Sequence, residues 1–113
     1  VYRRSAAGTR ALFKWLKGGP IVGQDRLAYI GQLISLGQLG DHEVTRRFLE
    51  ALRANFLERR ELLRKAEAYY RSELPGDRAM HELFAVLIGV RTDEARVAAC
   101  DEALAILDEE TER

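Results

Sequence analysis

Between Asp41 and Pro75 the chain runs for about 33 residues without a glycine or proline, the longest such stretch in its 113 residues. At 1.5 Å per residue that is a helix of about 50 Å. Val44, Phe48, Leu52, Phe56, Leu63, Ala66, Tyr70 and Leu74 recur at helical spacing along it. Asp41 suits its N-cap, and Pro75-Gly76 ends it. Glu61 with Lys65 and Glu67 with Arg71 are i,i+4 pairs in the favourable order.

The other segments read the same way, so the fold class is all-α: about four helices, one or two of them long and antiparallel, packed as an intertwined dimer. A first helix over Thr9 to Lys17 puts Ala11, Leu12, Trp15 and Leu16 on one side and stops at Gly18-Gly19-Pro20. A second, capped by Asp25, runs from Arg26 to about Leu39 on Leu27, Ile30, Leu33, Ile34 and Leu36. Gly31, Gly37 and Gly40 leave it dependent on packing. The last segment begins near Asp77, is nearly all apolar from Leu83 to Val90, breaks at Gly89 and is recapped at Thr92. Asp93 and Glu94 then occupy its first turn, and Val97, Ala103, Leu104, Ile106 and Leu107 continue the buried face.

Length bears on function. A compact domain of this size is about 35 Å across, so a 50 Å helix protrudes from it. Protruding apolar side chains need a partner, and a second copy is the simplest one. The expectation is a homodimer paired through Phe48, Leu52, Phe56, Leu63, Tyr70, Leu83, Leu87, Leu104 and Leu107. A break near Asn55, folding the segment back into a four-helix bundle, is the alternative.

Composition excludes several chemistries. Eighteen Lys+Arg balance eighteen Asp+Glu, so no overall positive excess is available for nucleic acid or an anionic membrane. One cysteine, Cys100, cannot form an internal disulfide, and no apolar run approaches a membrane span, which points to the cytoplasm. Neither His42-Glu43 nor His81-Glu82 is followed by a second His at the i+4 position, and no Glu-x-x-His occurs, so no metal site or cofactor is expected. Cys100 lies beside Asp101 and Glu102, whose charges raise a thiol pKa, and reads as buried filler. Arg59, Arg60 and Arg64 interleave with Glu58, Glu61 and Glu67 as a solvated face. No catalytic residue is assigned, and an enzyme is not expected.

The opening residues carry the most specific signal. Tyr2, Gly8, Leu12, Trp15 and Leu16 resemble the Tyr-x-Leu-Thr-x-x-Gly-x-x-x-Leu-x-x-Trp-Leu pattern of PadR-family transcriptional regulators, where the wing strand of a winged helix turns into the next helix. Ser5 replaces Thr, and Arg4 replaces an apolar residue. Ser5 can bond backbone amides at that helix entry. Residues 34–63 and 87–107 are similar to helices of the family's C-terminal helical domain in virulence-activator relatives, with Ala99-Cys100 where the family has Trp-Leu.

The resemblance implies that residues 1–24 are the end of the wing and a linker helix, and that residues 25–113 are a dimerisation and effector-sensing domain. The chain, opening on Val1 with Met80 as its only methionine, then reads as a fragment of a longer regulator. DNA would be reached only through the missing winged helix, with Arg3 and Arg4 touching phosphates. Trp15, Tyr29 and Phe84 are the candidate effector-binding residues, since aromatic walls suit small apolar molecules. A stand-alone helical small-molecule binder or enzyme, or a scaffold pairing with a different protein, are the competing readings. Charge is distributed accordingly: residues 1–24 carry +5, residues 25–92 +1 and residues 93–113 −6.

Overall fold

The structure is a computed structural model that describes residues 5–20 and 27–113. The described residues are all-α, in the order α1 (Ala6–Lys17), α2 (Ala28–Leu36), α3 (His42–Ser72) and α4 (Asp77–Thr111). They fall into two compact units, one ending at Gln32 and the other running from Leu33 to Arg113.

In the first unit Ser5 is the N-cap of α1, and its Oγ accepts from the Gly8 amide at 3.0 Å, the role its hydroxyl suggests. The helix therefore begins three residues before Thr9. Lys14 and Lys17 sit in its last turn, where the helix dipole favours cations, and Gly18 closes it. No residue of α1 is buried.

α2 is shorter than the Arg26–Leu39 expected. The chain tightens after Ile34 into successive i to i+3 bonds, the Gly37, Gln38 and Leu39 amides donating to the Ile34, Ser35 and Leu36 carbonyls. Asp25 and Arg26, the expected cap and first residue, lie outside the described residues. Gly40, at φ +66°, then turns the chain in a left-handed conformation that suits glycine.

The second unit is dominated by α3 and α4. Asp41 caps α3 as expected, its carboxylate accepting from the Glu43 and Val44 amides at 3.1 and 3.3 Å. The helix is unbroken at Asn55, so the folded-back bundle is not formed. α3 is about 46 Å long and α4 about 52 Å. α4 is long enough to run beside α3 throughout, because Gly89, expected as a break, does not end it.

α4 passes through Gly89 without interruption. Thr92 is not a cap: its hydroxyl donates to the Ile88 carbonyl one turn back, at 2.6 Å. Gly89 instead marks a close approach between helices. A Cβ there would lie 2.9 Å from Leu63 Cδ1, so the missing side chain is the space that Leu63 occupies. Gly89→Leu should overpack this point and cost about 1–3 kcal/mol, read as a lower urea midpoint at unchanged slope. Wild-type stability in that variant would show that the gap is not closely filled.

Candidate functional site

The second unit is an antiparallel helical hairpin, and its charged pairs fix the register. Going along α3, Arg46 bonds Asp108, Arg53 Nε donates to Asp101 Oδ1 at 2.5 Å, and Arg64 Nη2 donates to Glu94 at 3.2 Å. The α4 partners thus run backwards. At one end His42 meets Thr111 at 3.0 Å. At the other, Glu82 faces Tyr70, and its charge, followed by their hydrogen bond, raises the phenol pKa. Each exposed pair contributes at most about 1 kcal/mol, but together the pairs orient basic α3 against the acidic end of α4. Four of the eight acidic residues of 93–113, Asp93, Glu94, Asp101 and Asp108, thus meet arginines of α3.

Between these pairs lies an apolar seam. Leu83, Val86, Val90, Asp93, Val97, Cys100, Leu104 and Leu107 alternate three- and four-residue steps on α4, and each is buried or half-buried. Leu49, Leu52, Phe56, Leu63, Ala66 and Tyr70 form the α3 side, also at least half-buried. Val90 is fully buried, at 0% exposure. The Arg96 guanidinium lies 5.5 Å from the centre of the Phe56 ring. Burial, more than the neighbouring Asp101 charge, raises the Cys100 thiol pKa, in keeping with a filler role.

Asp93 interrupts this seam. It is 1% exposed, and neither carboxylate oxygen has a hydrogen-bond partner among the described residues. Its compensation is ionic only: Arg59 Nε at 3.7 Å across the seam and Arg96 Nη1 at 3.6 Å on its own helix. The first-turn position expected for Asp93 assumed a helix start at Thr92 that does not exist. Carrying the three-and-four spacing through Gly89 places Asp93 between Val90 and Val97 on the buried face, a signal available in the sequence.

The nine expected pairing residues all lie on the hairpin. Phe56, Leu83 and Leu107 are buried in the α3–α4 interface, and Phe48, Leu52, Leu63, Tyr70, Leu87 and Leu104 are half-buried. Leu49, which the α3 stripe omitted, is buried in place of Phe48. Ile106, expected inside, is 54% exposed.

The aromatic trio is divided between the two units, Trp15 and Tyr29 in the first and Phe84 in the second. Trp15, on α1, is 60% exposed and lines a depression of about 510 Å³ with Ala11, Lys14, Gly18, Gly19 and Pro20. Tyr29 is half-buried on α2. Phe84 is 50% exposed on α4, its ring 5.7 Å from that of His81. A second depression, of about 580 Å³, lies at the α3–α4 turn beside Tyr69 and Tyr70, whose rings meet edge to face at 5.3 Å. Neither depression is lined by Tyr29 or Phe84. Arg3 and Arg4 lie outside the described residues.

Among the described residues no group of His, Cys, Asp and Glu is arranged to hold a metal ion. Within the same residues no helix is long and apolar enough to cross a membrane. Compared with known proteins, the chain matches no family model, no curated protein and no solved structure.

Proposed function

We propose that this chain is the dimerisation and effector-sensing part of a PadR-like DNA-binding transcriptional regulator of the cytoplasm, and that it acts as a homodimer without catalysis or a cofactor. The observation that carries the pairing element is the amount of large apolar surface left uncovered on the helices. Within the second unit Ile34, Leu39, Leu62, Ile88 and Ile106 are each more than half exposed, large apolar side chains that a pairing partner would cover. Support for the PadR-like element comes from the Ser5 cap and the Gly8 amide, which fall where the family's wing strand enters its helix.

In this reading the hairpin is a spacer. Two helices of about 50 Å, tied along one edge by ion pairs, set the separation between two winged helices so that they meet half-sites one DNA turn apart. An effector shifts that separation only by binding one arrangement more tightly than another. Trp15 borders the depression on α1 and is the residue of the aromatic trio best placed to meet a small apolar molecule.

The upstream coding sequence and a mobility-shift assay test the reading together. A winged-helix pattern before Val1, with only weak, salt-sensitive and sequence-independent DNA binding by the present chain, is the expected result. Nanomolar sequence-specific binding by this chain alone, or an upstream sequence without that pattern, would overturn it.

A further inference from the structure

α1 differs from α3 and α4 in carrying charge of one sign. Arg10, Lys14 and Lys17 are its only charged residues, and residues 1–24 hold no Asp or Glu. At 3.6 residues per turn these cations fall within an arc of about 60°. None of the three forms an ion pair among the described residues, whereas Arg46, Arg53 and Arg64 of α3 each meet a carboxylate.

Opposite the cations the helix is apolar. Ala11, Leu12, Phe13, Trp15 and Leu16 span an arc of about 200°. Phe13, Trp15 and Leu16 are each more than half exposed, Leu12 is half-buried, and no residue of the helix is buried.

Two features decide what covers this face. A helix packed on one protein surface needs an apolar stripe of about 100°, and this arc is roughly twice as wide. A second copy of α1 would set like charges side by side with no carboxylate between them. The boundary between water and an anionic bilayer suits both features: its acyl region takes a wide apolar arc, and its phosphates supply the negative charge that α1 lacks. Trp15 lies towards the margin of the arc, and tryptophan is favoured at that boundary. With a length of about 18 Å, α1 is too short to cross a bilayer and would lie in its plane. The neutrality of the whole chain does not oppose this, because attraction to a charged surface acts within a Debye length and is decided by the local excess.

We propose that α1 is a membrane-surface anchor. Leu12, Phe13, Trp15 and Leu16 enter the outer acyl region of an anionic bilayer, while Arg10, Lys14 and Lys17 pair with lipid phosphates. This stands independently of the regulator reading, since it uses only the residues of α1.

Trp15 is the only tryptophan of the chain, so its fluorescence reports on this face directly. When the full chain meets vesicles of phosphatidylglycerol and phosphatidylcholine at about 3:7, the emission should move to shorter wavelength and the protein should co-sediment; on pure phosphatidylcholine the partition coefficient should be at least about 30-fold lower. Arg10→Gln with Lys14→Gln keeps good helix formers at exposed positions, so helicity by circular dichroism is unchanged, while partition onto the anionic vesicles falls about 30-fold. Leu16→Gln keeps every cation and should still weaken partition at least about 5-fold. An emission unmoved by anionic vesicles, with the chain left in the supernatant, would overturn the proposal. Equal partition onto both kinds of vesicle would overturn it by removing the phosphate pairing, and unchanged binding of Leu16→Gln would do so by leaving surface charge alone. An emission already at short wavelength in buffer, and unmoved by vesicles, would show the face covered by protein and overturn it as well.

Discussion

Replacing Phe56 with alanine is expected to cost about 3–5 kcal/mol, enough to remove much of the stability of a domain this size. Phe56 is 5% exposed at the middle of the α3 side of the seam, so truncation leaves a cavity that two stiff helices cannot close. The cost extends beyond lost area. The ring also supports the Arg96 guanidinium, which is one of the two cations beside Asp93. Removing the ring therefore loosens the compensation of a buried carboxylate as well, and Phe56→Ala and Arg96→Ala should be non-additive by at least about 0.5 kcal/mol. Urea unfolding of single and double variants at one protein concentration measures both effects. A loss under about 1.5 kcal/mol for Phe56→Ala, or strict additivity, would contradict the seam described here.

Asp93→Val should have the opposite sign. Valine and aspartate have similar helix propensities, so the change isolates what burial does. A carboxylate without hydrogen bonds, held only by cations at 3.6 and 3.7 Å, recovers little of its desolvation cost. Replacing it with an apolar side chain like those of Val90 and Val97 should stabilise the chain by about 1–3 kcal/mol. Removing the cations instead, with Arg59→Met and Arg96→Met together, leaves an uncompensated buried charge and should destabilise by about 3 kcal/mol. Arg59 faces Asp93 across the seam, so this charged layer matches only one alignment of the two helices. Its role is to fix register rather than to add stability. If Asp93→Val lost more than about 1 kcal/mol, the ion pairs would be net stabilising and that role would fall.

Much of this fold was legible in the residues. Asp41, Pro75 and Gly76 bounded α3 correctly because a cap and a breaker act locally, and Ser5 found its helix for the same reason. The stripe through Leu52, Phe56 and Leu63 was legible because helical spacing alone determines it. Gly89 was misread because a glycine's local preference says nothing about the side chain beside it. Whether it breaks a helix or makes room for Leu63 depends on a neighbour 26 positions away. That one misreading propagated: it split α4, placed Thr92 at a cap, moved Asp93 to a solvated first turn and removed the helix that runs beside α3. The partner of the pairing residues was not legible for a related reason. A stripe shows which side chains seek cover but not whether the cover lies in the same chain, and here the α3–α4 contact supplies it for Phe56, Leu83 and Leu107.

The pairing of two chains is the claim on which the functional reading depends, and the mass of the chain in solution tests it most directly. Sedimentation equilibrium of residues 1–113 between 1 and about 100 µM should give twice the single-chain mass of 12.8 kDa, with dissociation only at the dilute end. A mass of 12.8 kDa throughout that range would contradict it.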